Sequence, residues 1–255
     1  MRAGSVTAQG WDVVVVGSGL AGLATAIAAR LLGLDCLLVE KAAMVGGGTA
    51  ISSGLLWIGD NHLNAAAGGG DSPEAVRAYL RYVGADGLDP ARMEAFAAEA
   101  PGALRFFEAA GLPFRLSPRL DHYGMAPGAT AGGRPVELPA IDLAELGEWA
   151  DRVLRPSGPL YRLGGQEAVA LGGPNRKATW DAAEEVARAN PGLCGAGAGL
   201  VAWMLRAALR HGVEIRTGVG AERLVVTDGR VAGIVTRDGE TLGRAERRGA
   251  GKRRL

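Results

Sequence analysis

The chain has 255 residues, 48% of them hydrophobic and 22% charged, with a formal net charge of +1. This is an ordinary globular composition, long enough to bury a core, and its near-neutral balance argues against nucleic acid or an anionic membrane as main partner. Cys36 and Cys194 give neither a disulfide framework nor a metal spacing, and no charged-then-apolar leader or membrane-length apolar run is present, so a cytoplasmic protein without a metal site is expected.

The first element is a short apolar run, Val13 to Val16, leading into Gly17-Ser18-Gly19-Leu20-Ala21-Gly22. A helix follows, with Leu20, Leu23, Ala24, Ile27, Ala28 and Leu31 recurring as one face packed on a sheet. A second apolar run, Cys36 to Val39, ends in Glu40, eighteen residues beyond the third glycine. Strand, glycine turn, helix, strand and acid in this order form the fingerprint of an adenine dinucleotide site. Gly17 allows the tight turn, and Gly19 lets the backbone approach a pyrophosphate at a helix N-terminus. Gly22 lets helix and sheet pack closely, and Glu40 takes a pair of ribose hydroxyls. A glycine-rich turn with no ligand is the alternative reading.

Residues 46–58, GGGTAISSGLLWI, are too rich in glycine for a regular element, yet end in apolar residues that imply a cover. Small residues and hydroxyls bring backbone N–H groups close to a ligand, which predicts a ligand-facing loop. Ser72 and Pro73 start a helix that stops at Gly84, and Asp89-Pro90 opens another that Pro101 breaks or kinks before Gly111. Residues 113–198 read as an irregular insertion, with the polar cluster Asp121-His122-Tyr123 in its Pro- and Gly-rich part. Residues 199–211 return to helix and 213–216 to a strand. The runs 222–227 and 230–236 flank Asp228-Gly229, a strong hairpin signal. An incomplete nucleotide-binding domain over 11–242 is expected, with disordered ends at 1–10 and at 243–255, the latter basic.

The fingerprint together with GGGTAISSGLLWIGDNH resembles the FAD-dependent fumarate reductase/succinate dehydrogenase flavoprotein superfamily. Its 3-ketosteroid Δ1-dehydrogenase branch is the most similar. Gly47, Gly48, Thr49, Ala50, Ser52, Gly54, Trp57, Ile58 and Asn61 match that branch's GG-T-A-x-S-G-G and Trp-Ile-Pro-x-Asn segments, while Ser53 and Gly59 depart from them. The resemblance covers most of residues 10–236. It implies an α/β fold: a Rossmann-like FAD-binding domain with a parallel sheet and a small antiparallel meander.

By the same resemblance Gly17, Ser18, Gly19, Ala21 and Gly22 hold the FAD pyrophosphate, Glu40 the adenosine ribose, and Lys41 lies beside it. Gly47, Gly48, Thr49, Ala50 and Ser52 approach the pyrophosphate and the inner flavin edge, and the Ala221 backbone meets the adenine. Enzymes of this branch remove two adjacent hydrogens, with a tyrosine as base and the flavin as hydride acceptor. The stretch Asp121-His122-Tyr123-Gly124-Met125-Ala126-Pro127-Gly128 aligns imperfectly with the motif D-Y-[YH]-P-E-x-P-G, making Tyr123 the candidate catalytic tyrosine. Family members run to about twice this length, so the sequence reads as an N-terminal fragment, truncated before the substrate-capping domain. The expected function is an FAD-dependent dehydrogenase acting on a CH–CH bond of a small, steroid-like molecule. An inactive remnant and a fumarate reductase-type flavoprotein are the alternatives. An NAD enzyme has no use for the 46–58 loop.

Overall fold

A computed structural model describes residues 10–173 and 175–243. Along the chain run β1 (Val13–Val16), α1 (Leu20–Leu31), β2 (Cys36–Glu40), the one-turn α2 (Gly47–Ala50), β3 (Leu56–Trp57), α3 (His62–Ala66), α4 (Pro73–Gly84) and α5 (Pro90–Ala109). Then follow β4 (Arg115–Leu116), β5 (Pro135–Glu137), β6 (Ile141–Asp142), α6 (Gly165–Ala170), α7 (Lys177–Ala189), β7 (Leu193–Cys194) and α8 (Ala196–Arg210). The last strands are β8 (Glu214–Thr217), β9 (Ala221–Thr227), β10 (Arg230–Thr236) and β11 (Thr241–Gly243). The chain forms two compact units, Met1–Gly47 with Ala208–Leu255, and Gly48–Ala207.

The first unit holds a parallel sheet in the order β1-β2-β8 and an antiparallel one in the order β11-β10-β9. All five residues of β2 are buried, which explains its unbroken apolar run: a central parallel strand has no solvent face. The buried face of α1 consists of Leu23, Ala26, Ile27 and Ala29, while Leu31 is exposed. That face is rotated from the predicted one. Alanines at 26 and 29 let the helix lie close to the sheet, which the larger side chains do not. Asp228 and Gly229, both at positive φ, join β9 to β10 as a two-residue hairpin requires. Trp11, Leu37, Val39, Ile234 and Leu242 form the core between these strands. Among the described residues β1 pairs only with β2, and Val16, Leu224, Val226 and Val231 of this unit are exposed.

In the second unit β3, β5 and β4 form one small sheet and β6 and β7 a second. Ile58, Leu104 and Val136 pack together beneath the first. Ser72 caps α4 by accepting from the Ala75 N–H, and Asp89 caps α5 through the Ala91 N–H. Helix α5 continues through Pro101 instead of breaking there. Burial of Met93, Ala97 and Leu104 on either side carries the helix across the one missing donor. Residues 113–198 carry more regular structure than the sequence suggests, including the thirteen-residue α7. The strands there are two or three residues long and exist only through their partners. Of the two predicted disordered ends, residues 1–9 and 244–255 lie outside the described residues. Gly243 itself pairs with Gly233 in the meander.

Candidate functional site

In the first unit, the turn after β1 is shaped by glycine. Gly17 sits at φ +98, a conformation L side chains rarely adopt. A Cβ on Gly22 would lie 1.9 Å from the Gly17 carbonyl oxygen. The third glycine therefore lets the first turn of α1 press on the backbone of the loop that precedes it. Helix α1 starts at Gly19 with no side-chain cap and no acidic residue in its first turn, so its positive end is left for an anion to complement.

Ser18 and Glu40 close this turn from beneath, and both are buried. The Ser18 N–H and its hydroxyl both donate to Glu40 Oε2, at 2.9 and 2.6 Å, and the Ala42 N–H donates to Oε1 at 2.9 Å. Ser18 Oγ in turn accepts from the Gly46 N–H at 3.1 Å. Burial pushes the Glu40 carboxyl up, but the Ser18 hydroxyl, the Ala42 and Ser18 N–H groups and the nearby Lys41 ammonium outweigh it and hold the group below its ordinary range. A carboxylate offers about four acceptor positions. The three donors found among the described residues leave one on Oε1. Lys41 is exposed. Gly218 and Val219 donate to the Ala42 and Glu40 carbonyls, and Ala221 follows at the start of β9, against the Trp11 cluster. Gly47, at φ +49, ends this unit.

In the second unit the segment Gly48, Thr49, Ala50 and Ser52 is a tight, self-bonded turn. Ser52 donates its N–H and its hydroxyl to the Thr49 carbonyl. The cover that the sequence implies is the start of α8. The Gly197 N–H donates to the Ser52 carbonyl, and a Cβ on Gly197 would meet the Thr49 oxygen at 2.1 Å. A Cβ on Gly54 would equally strike the Ala196 backbone, at 2.4 Å.

The Trp57 indole N–H donates to Asp121 at 2.8 Å, and its ring stacks on those of Tyr79 and Phe96. Tyr123 is 52% exposed, its ring edge-on to His122 with centroids 5.7 Å apart, and its N–H donates to Tyr79 Oη. A cleft of about 960 Å³, whose lining does not include Tyr123, opens between the 67–70 and 129–133 loops. Leu116, Leu120, Thr130, Gln166 and Val169 are among its lining, which carries no charged side chain. Sequence reasoning missed Arg134 and Asp71, which bind each other in the interior of this unit. It also missed Gly46 and Ala42, whose N–H groups complete the Ser18 and Glu40 cluster.

Among the described residues no group of three or more His, Cys, Asp or Glu could hold a metal, and no helix is long and apolar enough to cross a membrane. The sequence pattern of the family described as FAD binding domain matches residues 12–253. The 4-oxocyclohexanecarboxylate 2-dehydrogenase of Sinomonas cyclohexanicum is 35% identical over 245 residues, 92% of this chain and 42% of its own. The 3-oxosteroid 1-dehydrogenase of Mycolicibacterium smegmatis is 33% identical over 252 residues, 91% of this chain and 43% of its own. Among solved structures, the 3-ketosteroid Δ1-dehydrogenase of Sterolibacterium denitrificans, in complex with 1,4-androstadiene-3,17-dione, is similar with a TM-score of 0.78. Its identity is 27% over 94% of this chain and 46% of that one. The chain thus spans less than half the length of these relatives.

Proposed function

The chain belongs to the FAD binding domain family, and from that premise we propose that it is the nucleotide-holding part of a flavin-dependent dehydrogenase acting on a carbon–carbon bond of a ring ketone. The observation that carries this reading is the pairing of the Gly17 to Gly22 turn with the buried Glu40. Gly17, Ser18, Gly19, Ala21 and Gly22 present the uncapped start of α1 to a pyrophosphate. Glu40 offers its remaining acceptor position to a ribose hydroxyl, with Lys41 beside it. The Ala221 backbone takes the adenine. The resemblance alone assigns Gly47, Gly48, Thr49, Ala50 and Ser52 to the pyrophosphate and flavin edge.

The fit to the group is steric as well as chemical. A Cβ at position 22 would overlap the Gly17 carbonyl, so glycine there is what lets the turn keep this shape against the start of α1. FAD, when bound, supplies the hydride acceptor. The protein's own part is to fix the dinucleotide and to offer the exposed Tyr123, which would act in its phenolate form, as proton acceptor from substrate. The uncharged lining of the 960 Å³ cleft supports a neutral ring compound as substrate. The absorbance spectrum of the purified chain between about 350 and 500 nm tests the reading, since bound flavin absorbs there. Stoichiometric FAD is the expected result. Colourless protein that takes up neither FAD nor ADP would overturn it.

A further inference from the structure

The guanidinium of Arg134 is wholly buried, and everything around it is engaged. Its Nε and Nη2 reach both oxygens of Asp71 at 2.8 and 2.7 Å, Nη1 reaches Asp121 at 2.9 Å, and Nη2 also donates to the Gly128 carbonyl at 2.8 Å. Trp57 and Tyr79 lie against the same group, ring centroids 5.2 and 5.3 Å from its central carbon. Asp121 further accepts from Trp57 Nε1 and from the Thr130 N–H, and Asp71 from the Asp60 and Ser72 N–H groups. Two buried carboxylates share one guanidinium. Such a cluster is poor value as stabilisation, because desolvation offsets most of the attraction, and its best-attested use is to fix one arrangement among several.

What it fixes is residues 121–134, where two aromatic side chains face solvent. We propose that Arg134 and Asp121 are positioning residues that hold His122 and Tyr123 in a single orientation. The chain is pinned on both sides of His122: at Asp121 through its carboxylate, and at Tyr123 through its N–H to Tyr79 Oη. The Tyr79 ring rests on the Arg134 guanidinium, so the second pin depends on Arg134 as well. Gly128 closes the loop onto α4, where a Cβ would lie 2.1 Å from the Ala75 carbonyl oxygen. Ala126 is buried between. His122 and Tyr123 thus stand on a rigid base although they are exposed, as groups that touch a substrate require. The inference rests on the reading of Tyr123 as a substrate-facing group.

The full chain labelled with 3-fluorotyrosine tests it. Its four tyrosines give separate fluorine resonances, and Tyr123→Phe assigns the one in question. In Arg134→Ala the Tyr123 line is expected to leave its native position while that of Tyr161 stays. Guanidinium added well below denaturing concentration should restore the Tyr123 line by refilling the hole. Asp121→Asn, which keeps shape and removes charge, should move the same line by less, and it serves if Arg134→Ala does not fold. A Tyr123 line unmoved in a folded variant, or moved but not restored by guanidinium, overturns the proposal. The reading of Tyr123 fails separately, if Tyr123→Phe dehydrogenates a ring ketone as well as the parent chain does.

Discussion

Two buried carboxylates, Glu40 and Asp71, divide the molecule's chemistry between them. Among the described residues Glu40 accepts from neutral donors only, Ser18 and Ala42, three hydrogen bonds in all. Asp71 accepts four hydrogen bonds, two of them from a buried guanidinium, and has nothing left to offer. Both lie below the ordinary carboxyl range although burial opposes it, Glu40 through Ser18, Ala42 and Lys41, Asp71 mainly through Arg134. A carboxylate satisfied by neutral groups remains an anion available to a ligand. One clamped by arginine is architecture.

The comparison can be broken most forcefully at Arg134. Arg134→Met should cost about 3–5 kcal/mol in chemical denaturation, because it leaves Asp71 and Asp121 buried without their cation. A loss under about 1 kcal/mol would mean the cluster is wetter than its geometry implies. Gly22→Ala should cost about 1–3 kcal/mol, since the new methyl overlaps the Gly17 carbonyl, and should abolish ADP binding with it. Glu40→Gln should cost about 1–2 kcal/mol, because an amide NH2 would face a buried donor that the carboxylate now accepts from, and should weaken ADP about tenfold, one charge-assisted hydrogen bond's worth. Equal losses of stability in Glu40→Gln and Arg134→Met would erase the distinction drawn above.

Acid sharpens it more gently. Glu40 and Asp71 both have lowered folded-state pKa values. The stability they contribute is present above the ordinary carboxyl range near 4 and is lost as pH falls through the lowered values. The unfolding midpoint should be flat above about pH 5 and drop below about 4, and ADP present in excess should move that drop to lower pH. The smallest effect concerns Cys194, whose thiol burial pushes up to about 11, against the pull of Arg162 and Arg155. At pH 8 roughly one thiol in a thousand is then thiolate. Iodoacetamide should leave Cys194 unlabelled in the folded chain and label it after unfolding.

The two regions also differ in how far the sequence exposes them. The turn and Glu40 were legible because their parts recur at short, fixed spacings: a run of valines, three glycines, a helical period, an acid at a strand's end. What spacing does not convey is that Ser18 turns its hydroxyl down onto Glu40, or that the helix face is centred on alanines. Arg134 was not legible at all. It meets residues 57, 71, 79 and 121 through folding of the chain, and no periodicity links those positions. The same reason hid the short strands at 115–116, 141–142 and 193–194, which exist only through their partners. In the 46–58 run the start of α8 bonds to Ser52, residues 47, 48 and 51–53 stay exposed, and the tryptophan serves the Asp121 network.

The most direct test of the central claim is calorimetric titration of the purified chain with ADP at neutral pH. The account predicts saturable binding of one ADP per chain, absent in Gly22→Ala. Heats no larger than dilution in the folded parent chain would contradict it.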